Sequence, residues 1–82
     1  MITLNFLHDK DQQTDVYVLK QENRSEPFKV FFKEELIAQI DLVNDKWVQC
    51  SGKKLETELL IQMGQFISNQ HYQKLPDEIK LH

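Results

Sequence analysis

Apolar and polar residues alternate along the first part of the chain, and the period then changes. Ile2, Leu4 and Phe6 alternate with Thr3 and Asn5, which predicts a strand with one buried face, and the polar run His8 to Gln13 reads as the loop that ends it. A second strand has Val16 and Val18 on one side and Tyr17 and Leu19 on the other, up to the polar loop Gln21 to Ser25. Pro27 stands at the mouth of a third strand, where a missing N–H is tolerated. There Phe28, Val30 and Phe32 alternate with Lys29, Phe31 and Lys33. The fourth strand sets Leu36, Ala38, Ile40 and Leu42 against Ile37, Gln39, Asp41 and Val43, and a polar turn, Asn44 to Lys46, leads to a fifth, Trp47 to Cys50.

Side chains on a strand repeat every second residue, so the length of each turn fixes which side chains share a face. A three-residue loop at Lys33 to Glu35 pairs Phe32 with Leu36, Val30 with Ala38 and Phe28 with Ile40. The same length at Asn44 to Lys46 pairs Leu42 with Val48 and Ile40 with Cys50. A two-residue turn at Glu34 and Glu35 mixes apolar with polar partners, so the odd lengths fit the pattern better, although neither loop has the glycine that three-residue hairpins favour. On this register Val16, Val18, Phe28, Val30, Phe32, Leu36, Ala38, Ile40, Leu42, Val48 and Cys50 make the face that is buried.

Ser51 and Gly52 end the strand pattern, and Ser51 or Thr57 is the expected N-cap of a helix over about residues 53–74. Leu55, Leu59, Leu60, Met63, Phe66 and Ile67 recur at spacings of three and four and define its buried side, with Gly64 at the edge of the arc and Ile61 and Tyr72 opposite. A glycine inside a helix costs about 1 kcal/mol relative to alanine, so its presence predicts a close approach to the sheet. Pro76 stops the helix, and residues 75–82 form a short tail. The pattern predicts an α+β fold of two layers, a five-stranded antiparallel meander with one C-terminal helix on one face, as a single globular domain spanning residues 1–82.

Composition narrows the function. Eighty-two residues support one small core, and burial in an oligomer would widen its stability margin. A formal charge of -3 argues against a nucleic-acid partner. The one cysteine, Cys50, has no cysteine to bond with and fits a reducing compartment. No stretch approaches the roughly 20 apolar residues of a membrane span, and Met1 to Leu7 lacks the basic start and apolar run of a signal peptide, so a cytoplasmic location is expected.

Candidate chemistry is sparse. His8, Asp9 and Asp11 lack the further carboxylates and turn glycine of a calcium loop and read as a solvated loop. Cys50 is expected to point inward, where a thiol is a small hydrophobe rather than a nucleophile. Glu34 and Glu35 diverge on a turn, and Glu56 and Glu58 complement the start of the helix. No catalytic set, cofactor motif or metal cluster emerges, and an enzyme is not expected. The face opposite the helix is more suggestive. On the expected register Tyr17, Phe31, Ile37, Val43 and Trp47 stand there among lysines, glutamines and Asp41, as candidates for an interface with a second copy of the chain. The alternative reading is a small-ligand binder with a cavity between helix and sheet, lined by Gly64, His71 and Cys50.

Overall fold

The structure, a computed structural model, describes residues 1–70. Strands β1 (Ile2–Lys10), β2 (Gln13–Gln21), β3 (Phe28–Phe32), β4 (Glu35–Val43) and β5 (Lys46–Gly52) precede one helix, α1 (Thr57–Asn69). The strands form a five-stranded antiparallel sheet in sequential order with α1 packed on one face, so the meander with a C-terminal helix is the fold of this chain. Both edge strands, β1 and β5, meet α1, and the sheet therefore curls around the helix.

Helix α1 starts later than its periodicity suggests. Glu56, not Ser51 or Thr57, holds the N-cap position, without a side-chain capping bond, and Glu58 complements the dipole in the first turn. Residues 71–74 of the expected helix, His71 and Tyr72 among them, and the tail at 75–82 lie outside the described residues. Leu59, Met63, Gly64 and Ile67 face the sheet and Ile61 faces solvent, as the apolar arc requires. They close over Leu19, Phe28, Val30, Ala38 and Ile40, all at most 1 % exposed.

The turns differ from expectation. Asp11–Gln12, Lys33–Glu34 and Asn44–Asp45 each close a hairpin in two residues, with φ between 51° and 68° at every position. Positive φ at both central residues is what a type I′ turn needs, and its twist matches that of the flanking strands. The polar residues read as a loop after Phe6 are therefore strand, and β1 and β2 run out to Lys10 and Gln13.

Two bulges then reset the alternation. Phe31 pairs with Leu36 but Val30 with Ala38, so Ile37 is the extra residue of β4. Ile40 pairs with Gln49 but Gln39 with Ser51, so Cys50 is the extra residue of β5. The expected pairs Val30–Ala38 and Phe28–Ile40 occur, because a two-residue turn plus one bulge has the parity of a three-residue loop. Phe32 instead pairs with Glu35, Leu42 with Trp47 and Ile40 with Gln49, since those residues lie between turn and bulge.

The bulge in β5 also directs the chain into the helix. Gly52, at φ +93°, sits so close to β4 that a Cβ would stand 2.3 Å from the Ile37 carbonyl oxygen. That carbonyl accepts from Lys53 N at 2.7 Å. Gln49 secures the next residues: its Nε2 donates to the carbonyls of Ser51 and Lys53, and its Oε1 accepts from Leu55 N at 2.9 Å. Leu55 is thereby delivered into the core just ahead of the N-cap residue Glu56.

Candidate contact surface

The turn at Asp11–Gln12 decides the faces of β1 and β2. It pairs Leu4 with Leu19 and Phe6 with Tyr17, and both pairs lie on the helix side. Val16 and Val18 therefore point away from the helix, opposite Leu7 and Asn5. This reverses the expected assignment of β2, where four consecutive apolar residues left the alternation without a mark. Leu36 and Val48 leave the expected buried face as well, because a bulge separates them from the pairs Val30–Ala38 and Ala38–Gly52, and Cys50 leaves it as the bulged residue of β5.

Of the five interface candidates, three sit on the helix side. Tyr17 packs against the core, its ring 5.0 Å from that of Phe32 and 6.3 Å from that of Phe6, and burial pushes its phenol pKa up. Ile37, the bulged residue, packs on the same core. Trp47 lies across Gly64, meets Phe28 edge-on at 6.0 Å and donates through Nε1 to Ser68 Oγ at 3.3 Å. Phe31 and Val43 do lie on the outer face, Val43 at 43 % exposure.

The indole lies against Gly64, one of the residues expected to line a ligand cavity. Cys50 is exposed at its bulge rather than turned toward the helix, and His71 lies outside the described residues. A hollow of about 520 Å³ opens to solvent between Trp47 and the last helical turn, at Gln65 and Ser68. At the other end of the helix Lys10 Nζ contacts Glu56 Oε1 at 3.3 Å, and this pairing raises the lysine's pKa. It ties the first hairpin to the start of α1. The His8 ring stacks on Phe6 at 6.2 Å. Among the described residues no three His, Cys, Asp or Glu side chains group closely enough to hold a metal ion. No helix among them is long and apolar enough to cross a membrane.

The outer sheet face has an order that the pairings make explicit. Val18, Phe31 and Leu36 are successive partners across β2, β3 and β4 and form one apolar row, and Leu7 with Val16 forms a second beside it. Leu7 is 61 % exposed, Val16 47 % and Leu36 46 %. The next row on one flank carries Lys20 paired with Lys29. The Lys20 ammonium reaches back to 5.3 Å from the centre of the Phe31 ring, and Lys29 Nζ stands 3.7 Å from Glu22. On the other flank Asp9 pairs with Thr14, whose hydroxyl donates to its carboxylate at 2.5 Å, and Asp11 follows in the turn. A solvated antiparallel face normally alternates to polar residues. This one has an apolar centre between charged flanks.

Comparison with protein-family models, with curated proteins and with solved structures finds no match to this chain.

Proposed function

We propose that this chain is a protein-contact domain that pairs with a second copy of itself through the outer face of its sheet. The observation that carries the reading is the pair of adjoining apolar rows, Leu7–Val16 and Val18–Phe31–Leu36, on the face opposite the helix. Contiguous apolar surface of this kind marks contact sites. A chain of 82 residues also gains from the extra burial, because its own core is small. The exposed position of the one cysteine, Cys50, fits a reducing compartment, and we assign the domain to the cytoplasm.

Val18→Lys tests the reading. Val18 lies in the middle of the face, paired on both sides, and points away from the core. Light scattering should show a dimer for the wild type and a monomer for the variant, with unchanged circular dichroism. A wild type that stays monomeric at high micromolar concentration would overturn self-pairing. An unfolded variant would return Val18 to the core.

A further inference from the structure

The outer edge of β1 lacks the features that normally protect a sheet edge. Among the described residues no strand pairs with it. An open edge offers unpaired N–H and C=O groups to another chain, and bulges, prolines and charged side chains usually blunt it. The other edge strand, β5, has such devices in the extra residue Cys50 and in Lys46. Strand β1 runs nine residues in unbroken register with β2, and residues 1–7 include neither proline nor a charged side chain. The two-residue turn also fixes which backbone groups are on offer. Lys10 and Gln13 flank that turn and exchange both of their backbone bonds, and hydrogen-bonded and non-hydrogen-bonded pairs then alternate along the hairpin. Ile2, Leu4, Phe6 and His8 are thus bonded to β2, while Thr3, Asn5 and Leu7 direct N–H and C=O away from it.

We infer that the β1 edges of two copies pair antiparallel about a twofold axis at Leu4, as a second self-contact independent of the sheet face. Such an axis stands perpendicular to the sheet, and the joint uses the same edge on both copies. Opposed residues share a face, so even-numbered residues meet even-numbered ones. With the axis at Leu4, Thr3 of each copy exchanges backbone bonds with Asn5 of the other, and no bond to β2 is lost. On the helix side Leu4 meets Leu4 and Ile2 meets Phe6. These are non-hydrogen-bonded pairs, whose Cα atoms approach to about 4.5 Å and whose side chains lie closest. On the outer face Met1, 87 % exposed, meets Leu7, 61 % exposed, and continues the Leu7–Val16 row across the joint. Every apolar side chain of the joint thus opposes another. Other registers lose this match. Centred on Asn5, Ile2 meets His8. Centred on Phe6, Thr3 meets Asp9, and Ile2 meets Lys10, whose ammonium contacts Glu56. Centred on Thr3, Met1 meets Asn5 and the ladder shortens. A short two-stranded joint is marginal alone, so it forms at concentrations above the micromolar range in which the face is tested.

Cysteine trapping reads the register. In a chain carrying Cys50→Ser, which removes the exposed native thiol, Leu4→Cys sets two sulfurs across the axis at a Cα separation that a disulfide spans. Oxidation with diamide at high protein concentration should give about fivefold more covalent dimer from Leu4→Cys than from Asn5→Cys. Collision alone favours the opposite order, because Asn5 is exposed and Leu4 is half-buried. A mixture of Thr3→Cys and Asn5→Cys chains gives a readout at exposed positions only, and mass spectrometry should find the mixed dimer in about fivefold excess over either self-dimer. Circular dichroism checks that each variant is folded. As much dimer from Asn5→Cys as from Leu4→Cys, or a mixture that couples at random, would overturn the edge joint. Adding Val18→Lys separates the two contacts: trapping at Leu4 that persists supports the edge, and trapping that vanishes assigns it to the face and overturns the edge. A wild type that is monomeric by light scattering overturns the face reading alone.

Discussion

Replacing Gly64 by alanine should destabilise the protein, although the same change at an exposed helical position stabilises by about 1 kcal/mol. Gly64 is buried at the centre of α1, and a Cβ there would stand 2.3 Å from Trp47 Cδ1, 2.4 Å from Cγ and 2.9 Å from Cβ. Carbon atoms in contact prefer about 3.5–4.0 Å, so helix and indole must part by more than about 1 Å. Overpacking of this sort costs about 1–3 kcal/mol. An indole that swings aside also gives up its edge contact with Phe28 and its bond to Ser68 Oγ, worth about 1 kcal/mol each. Subtracting the helix-propensity gain leaves a net loss of about 2–4 kcal/mol. Denaturant melts measure the loss, and the emission of Trp47, the chain's one tryptophan, reports the cause by shifting to the red as the ring leaves its site. A variant that is more stable than the wild type, with unchanged emission, would refute the account of how helix and sheet meet.

The other predictions concern turns and pH. Lys33→Asn combined with Glu34→Gly should raise stability by about 0.5–1 kcal/mol, because the left-handed strain relieved exceeds the freedom added to the unfolded chain; a lower denaturant midpoint would contradict the two-residue turn. Tyr17 has its folded pKa raised above the ordinary 10.0, chiefly by burial, so its contribution is fully present below pH 10 and is lost as pH rises through the folded value. Urea melts between pH 8 and 11 should show that Tyr17→Phe lacks this part of the alkaline loss, and identical profiles would place Tyr17 in solvent.

The fold was legible in the sequence because its strongest signals are periodic. Alternation across β3 and β4 and the spacing of Leu59, Met63 and Ile67 survive any error in the turns. Gly64 was legible too, since a residue that weakens a helix implies something pressed against it. What pressed there was hidden, because Trp47 can be assigned to the helix side only once β5 is in register. That register depended on turns without glycine. Gln12, Lys33 and Glu34 take up left-handed backbone that their side chains disfavour, Asp11, Asn44 and Asp45 tolerate it better, and the surrounding ladders hold all three turns there.

The contact surface was harder to read than the core, and the bulges show why. Far from its turn, β4 has the parity of a three-residue loop, and close to the turn it has the opposite one. Leu36 and Ala38, two residues apart on one strand, consequently lie on different faces. Alternation alone assigns them to the same face, and no residue type at Ile37 or Cys50 announces the extra residue. The bulges nevertheless have clear structural consequences. At Ile37 the reset brings Ala38 and Ile40 under the helix while Leu36 stays outside to complete the Val18–Phe31 row. At Cys50 it turns Gly52 against β4, where Gln49 can hold the linker and deliver Leu55 to the core. A sheet with unbroken alternation would have buried Leu36 beside Ala38 and shortened the outer row by one strand. The irregularities that obscure the sequence pattern are therefore the ones that create the apolar face on which the proposed pairing depends.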